Sequence, residues 1–153
     1  MEETQLLKSL WDERSIYRAL CEIARAMDER DWATLSASLA TDAEAEFGTG
    51  RVRGSDAIVE TIRVYLDNCG ATQHLLGNVV VDIEGDYAQS RAYVRDVHLN
   101  AVGDPETRFY TLGEYRDSWR RGTDGSWQLT ERIKSNRAYA GTLEVFAPAD
   151  GTA

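Results

Sequence analysis

The second half of this chain is a succession of four β-patterned runs joined by short turn sequences, and few folds accommodate that. Residues 73–83, 88–101, 107–120 and 127–140 read as strands. The connectors Glu84-Gly85-Asp86, Gly103-Asp104-Pro105 and Gly122-Thr123-Asp124-Gly125 are all turn chemistry. Connectors this short join antiparallel neighbours, so a meander of long strands is predicted. The first half carries the helical period instead. Apolar residues at Leu6, Leu7, Leu10, Ile16, Tyr17, Leu20, Ile23, Ala24 and Met27 predict one amphipathic helix. A short second helix follows, with Asp31 as its N-cap and Trp32, Leu35 and Leu39 facing inward. Residues 43–47 read as a strand and Gly48-Thr49-Gly50 as a turn. Gly54-Ser55-Asp56 opens a third helix carrying Ile58, Ile62, Tyr65 and Leu66 on one side. That helix is expected to stop near Asn68-Cys69-Gly70, since Asn and Gly tolerate a left-handed cap. Three helices ahead of antiparallel strands imply an α+β fold with the helices covering one face of the sheet.

At 153 residues the chain is long enough to bury a full core, and it reads as one domain over residues 1–146 with a flexible tail at 147–153. No apolar run approaches the roughly 20 residues of a membrane helix, and the acidic start is not a signal peptide. Cys21 and Cys69 show no metal or redox spacing, so they read as reduced packing residues in a cytoplasm. A net charge of −9 argues against a protein that tracks nucleic-acid phosphates. An open sheet face needs cover, which points to a homo-oligomer.

There are two histidines, and an imidazole is the side chain best suited to acid–base work near neutral pH. His74 lies in Thr72-Gln73-His74-Leu75-Leu76-Gly77-Asn78. Asp28 sits at the end of the first helix's buried stripe, where a carboxylate is costly unless paired. Tyr17 lies three turns earlier and points in nearly the same direction. Strand alternation puts Ala92, Val94, Asp96 and His98 on one face. By the same parity Trp127, Leu129, Ile133 and Arg137 share a face, which carries Arg137 toward the core region. Two histidines and a carboxylate are also a facial triad for iron. No tight His-x-Asp or His-x-x-x-His spacing supports a metal, and none is expected.

These residues resemble the SnoaL-like branch of the nuclear transport factor 2-like superfamily, and within it the scytalone dehydratases. The matching elements are Met27-Asp28-Glu29-Arg30-Asp31-Trp32, Thr72-Gln73-His74-Leu75-Leu76-Gly77, Val97-His98 and Asp124-Gly125-Ser126-Trp127, in order over roughly residues 10–140. The resemblance implies a cone-shaped fold, with three N-terminal helices packed on a curved mixed or antiparallel sheet that encloses a pocket. It places the pocket aspartate at Asp28, the histidine it orients at His74 and the second pocket histidine at His98. Two tyrosines of the dehydratases fall at Met27 and Phe47 here, and their pocket asparagine at Arg116. The acid–base group is kept, while the carbonyl-polarising group is not. Related lyases add a late arginine, in a place similar to Arg137. The resemblance also implies a trimer or a dimer.

The activity expected is that of a cofactor-independent lyase or isomerase acting on a hydrophobic cyclic or polycyclic ketone. Asp28 orients His74, which takes a proton next to the carbonyl, and His98 binds the substrate or protonates a departing hydroxyl. Arg137, Arg116, Tyr17 or Asn78 is expected to polarise the carbonyl, and Met27 and Phe47 to line the pocket. A polyketide-type cyclase would use the same groups. A non-catalytic module, such as a dioxygenase small subunit, would have no need of the Asp28, His74 and His98 set.

Overall fold

The computed structural model describes residues 2–101 and 106–148. Its elements run in the order α1 (Glu3–Glu29), α2 (Trp32–Ser38), β1 (Leu39–Glu46), β2 (Arg51–Arg53), α3 (Ser55–Leu66), β3 (Cys69–Glu84), β4 (Tyr87–Asn100), β5 (Arg108–Arg121) and β6 (Trp127–Gly141), then a 3-10 turn, Leu143–Phe146. The six strands form one sheet in the order β2-β1-β6-β5-β4-β3. The sheet is curved and unclosed, and the helices pack on its concave side. Ile16, Leu20, Ile23 and Met27 of α1 meet Leu35, Ile58, Leu66, Trp119 and Leu129 in the core. No helix among the described residues is long and apolar enough to cross a membrane. The expected turn Gly103-Asp104-Pro105 and the tail end 149–153 lie outside the described residues.

Four features depart from the sequence expectations. First, although the sheet is mixed as the resemblance allows, β1 begins at Leu39 instead of residue 43 and pairs with β6 in parallel, and β2 adds a short antiparallel edge beyond Gly48-Thr49-Gly50 that is absent from the sequence expectations. Second, α3 ends at Leu66 with Asp67 in the right-handed region, and Gly70 lies in β3. Gly70 is needed for space, because a Cβ there would come within 2.6 Å of the Asn100 carbonyl oxygen. Third, the first turns of α1 run beyond the core, leaving Leu7 and Trp11 exposed while Asp12 is buried against Arg121 and Trp127.

The fourth departure shapes the pocket. In β6, Leu129 pairs with Trp119 but Glu131 pairs with Ser118, so Thr130 is an extra residue. An extra residue inverts the alternation beyond it. Trp127 and Leu129 face inward as expected, after which Arg132, Lys134 and Asn136 take the inward places. A second shift leaves Arg137 between Asn136, opposite Gly113, and Ala138, opposite Leu112.

Candidate active site

The concave side holds a cavity of about 300 Å³. Its apolar wall includes Met27, Phe47, Ile62, Phe109 and Phe146, and its polar groups include His74, Asp96, His98, Thr111, Lys134 and Asn136. Gly113 makes room for Asn136, since a Cβ there would lie 2.9 Å from Asn136 Oδ1.

The junction of α1 with β3 is fixed by a residue outside the expected set. Arg30 closes α1 in the left-handed conformation, φ 60°, which a side chain other than glycine seldom adopts without support. Its guanidinium donates to the carbonyls of Met27, Leu66 and Gly70 and to Thr72 Oγ1, at 2.9–3.1 Å. Those bonds tie the ends of α1 and α3 to the start of β3, and so bring Asp28 against His74.

His74 donates its backbone N–H to the Asp28 carboxylate at 3.0–3.1 Å, and its Nδ1 lies 2.6 Å from Asp28 Oδ1. A carboxylate there holds the proton on Nδ1 and leaves Nε2 with its lone pair for the cavity. Burial pulls the His74 pKa below the ordinary 6.5, and the contact with Asp28 only partly opposes it. His98 is shifted the other way. Burial again lowers its pKa, but its contacts with Asp96 and Cys69 outweigh that and the net shift is upward. The two rings stand edge to face with centroids 5.5 Å apart.

Asp96 joins the pair from the neighbouring inward position of β4. Its Oδ2 accepts from Thr111 Oγ1 at 2.9 Å and from the Lys134 ammonium. Its Oδ1 lies 3.3 Å from His98 Nε2 yet has no well-formed hydrogen bond. Burial would raise the Asp96 pKa, but His98 and Lys134 hold the carboxyl well below the usual range. One ligand atom from each of His74, Asp96 and His98 falls within 4.8 Å of the others, a spacing that suits a small cation. The Lys134 ammonium already supplies positive charge to that carboxylate, which opposes a second cation there.

Among the candidates, His74 and His98 line the cavity with Met27 and Phe47, and Asp28 stands behind His74. The other four lie elsewhere. Arg137, at the second irregularity of β6, points away from the cavity, stacks over Tyr93 at 4.7 Å and pairs with Glu114 at 3.5 Å. Arg116 occupies an outward position of β5 and also pairs with Glu114. Tyr17 is 41% exposed beside Arg14. Eleven residues do bring Tyr17 and Asp28 to one side of the helix, but they also separate them by about 16 Å along its axis. Asn78 is an exposed, left-handed residue, φ 49°, at a bulge in β3. Two polar cavity residues are not among the candidates: Asp96, which strand parity places on one face with His98, and Lys134, which the bulge at Thr130 hides.

A curved, unclosed sheet with three helices packed on it is the architecture of the nuclear transport factor 2-like superfamily. Residues 8–133 match the SnoaL-like domain, and the chain belongs to that family. No curated protein matches it. Among solved structures, a candidate scytalone dehydratase from Novosphingobium aromaticivorans is 22% identical with a TM-score of 0.79, covering 100% of this chain and 99% of its own. A candidate aromatic ring hydroxylase from the same organism is 25% identical with a TM-score of 0.79, covering 90% and 98%. The hexachlorocyclohexane dehydrochlorinase of Novosphingobium barchaimii is 16% identical with a TM-score of 0.77, covering 89% and 93%.

Proposed function

We propose that this protein is a cofactor-independent lyase or isomerase that removes a proton next to the carbonyl of a hydrophobic cyclic or polycyclic substrate. The observation that carries the reading is the pair of histidines on one cavity, each against its own carboxylate, His74 Nδ1 2.6 Å from Asp28 and His98 Nε2 3.3 Å from Asp96, and their pKa shifts in opposite directions support it. A neutral His74, oriented by Asp28, is a base. A protonated His98 is an acid. Two like groups driven apart by their surroundings define the two roles.

In a dehydration, His74 Nε2 takes the proton from the carbon beside the carbonyl, and the C–H electron pair becomes the enolate. The enolate then expels the hydroxyl from the next carbon while His98 gives it a proton, so a carbon–carbon double bond forms and water leaves. His74 ends protonated and His98 neutral, and exchange with solvent resets both. The named activities of the dehydratase-like and dehydrochlorinase relatives are eliminations too, which supports an enzyme of this kind. A cavity of about 300 Å³ is near the small end of ligand pockets and suits one or two fused rings.

The test is to incubate the protein with a cyclic β-hydroxy ketone in D2O, following enone absorbance and deuterium uptake beside the carbonyl. Enone formation assigns a dehydratase, and uptake without loss of water an isomerase. Ring closure of a polyketide-like diketone assigns the cyclase instead. A protein that does none of these is not an acid–base enzyme of this class.

The pH dependence follows from the same shifts. His74 must be deprotonated, so activity rises with pH through a value below 6.5. His98 must be protonated, so activity falls with pH through a value above 6.5. The expected kcat/KM profile is a bell, read in steps of half a pH unit. A profile that only rises through neutral pH would remove His98 as the acid.

Self-association belongs to the outer sheet face, where Leu75, Tyr93 and Leu112 are exposed. Light scattering of the purified chain is expected to give the mass of a dimer or trimer, and a monomer at high concentration would overturn this.

A further inference from the structure

The enolate of the proposed reaction needs a positive partner, and none of Arg137, Arg116, Tyr17 and Asn78 lines the cavity. We propose that Lys134 is that partner, and that its neighbour Asp96 receives the substrate's hydroxyl, so that the pair selects β-hydroxy ketones. The inference rests on the acid–base reading above and adds the group that polarises the carbonyl and the class of substrate.

Lys134 reaches the cavity because Thr130 is an extra residue, and its side chain is only 14% exposed. An ammonium has three N–H donors. Asp96 Oδ2 takes one, and among the described residues Lys134 has no other hydrogen-bond partner. The remaining donors stand on a cavity whose wall is largely aromatic and aliphatic, where a substrate oxygen is the natural acceptor.

The ion pair also suits the reaction step. Before reaction Lys134 and Asp96 together carry no net charge, and a neutral ketone offers the ammonium only a dipole. As the C–H pair moves onto the carbonyl oxygen, that hydrogen bond becomes one between opposite charges in a site of low polarity. An interaction that strengthens in this way lowers the barrier instead of merely tightening binding.

Asp96 Oδ1 supplies the second half of the argument. The residue is fully buried and lines the cavity, yet among the described residues this oxygen has no hydrogen-bond partner. A buried carboxylate oxygen without a donor is costly, so a ligand that brings an O–H is favoured. His98 Nε2 lies 3.3 Å from that same oxygen. A substrate hydroxyl placed there donates to Asp96 Oδ1 and accepts from His98 Nε2–H. The leaving oxygen is then aligned with its proton donor, while a carbonyl two carbons away meets Lys134.

The probe that tests this is 4-nitrophenol, whose phenolate is a planar, coloured oxyanion resembling an enolate. Wild-type protein is expected to bind the phenolate in preference to the phenol, so the bound probe ionises at lower pH than the free one. The double variant Lys134→Met with Asp96→Asn removes both charges together, so neither member of the Lys134–Asp96 pair is left as a lone ion. It is expected to lose phenolate affinity by about 10²-fold, the scale of one oxyanion donor. Lys134→Arg should recover part of that loss.

A folded double variant that binds the phenolate as wild type does would overturn the proposal and leave Lys134 as a neutraliser of Asp96. Wild type that dehydrates a β-hydroxy ketone without preferring the phenolate would overturn it while the acid–base reading stands. Wild type that does neither loses both. A phenolate preference that depends on Lys134 without any elimination would uphold the oxyanion site and reject the elimination.

Discussion

His74→Ala is expected to lower kcat for a cyclic β-hydroxy ketone by about 10²–10⁴-fold, the usual contribution of a placed general base. Asp28→Asn should cost a comparable factor for a different reason. The Asp28 carboxylate accepts from His74 Nδ1 at 2.6 Å and so keeps Nε2 free of a proton. An amide that turns its NH2 toward Nδ1 favours the other tautomer, with the proton on Nε2, and that nitrogen then has no lone pair for the substrate. The two effects should not add, because both variants remove the same base. Arg137→Ala and Arg116→Ala are the controls. Both guanidinium groups lie outside the cavity, so kcat should stay within about twofold of wild type, as for surface substitutions. Steady-state rates of the four variants on one substrate decide the matter. If His74→Ala turns over as wild type does, the histidine is a packing residue and the proposed mechanism fails.

The unequal legibility of these residues has a physical basis. Asp28, His74 and His98 are each recognisable within short runs, so none of them has to be placed by carrying strand alternation past an irregular position, although the register of β3 shifts between Cys69 and Thr72, just before His74. The alternation of β4 holds without interruption from Tyr87 to His98, so the inward set Ala92, Val94, Asp96 and His98 is correct from parity alone. The same reasoning fails in β6, where Thr130 looks like any strand residue but is skipped in the register with β5, its hydroxyl donating to the Ser118 carbonyl instead. Parity carried past it exchanges the two faces, sending Arg137 inward on paper and hiding Lys134. Arg30 is obscured differently. It stands in a charged run at the end of a helix, and only the fold reveals that its guanidinium joins three elements. Gly70 likewise looks like a helix stop, whereas its role is set by a strand carbonyl 30 residues away in sequence.

Asp117→Ala is expected to destabilise the fold by about 3–5 kcal/mol, the cost of leaving one member of a buried ion pair alone. Arg132 is the first residue that the bulge turns fully inward, and it meets Asp117 through two bonds of 2.9 and 2.7 Å. Both residues are at most 5% exposed, and the guanidinium lies 4.0 Å from the Tyr115 ring, part of the cavity wall. Burial works against the charge on Arg132, but Asp117 outweighs it and the pKa is raised. This pair sits two residues before Lys134 and fixes the phase of β6 after Thr130. Its loss should therefore lower the melting temperature by roughly 6–20 °C for a chain of this size. It should also reduce phenolate binding at Lys134, although Asp117 touches no substrate. Replacing the pair together, Asp117→Leu with Arg132→Met, should restore most of the stability, since no lone charge remains. Thermal unfolding of the three proteins by circular dichroism separates the possibilities. A single variant that melts within a degree or two of wild type would mean that the strand pairing alone holds the bulge. A double variant as unstable as the single one would mean that the charges themselves, and not merely their balance, keep β6 in the register that delivers Lys134 to the cavity.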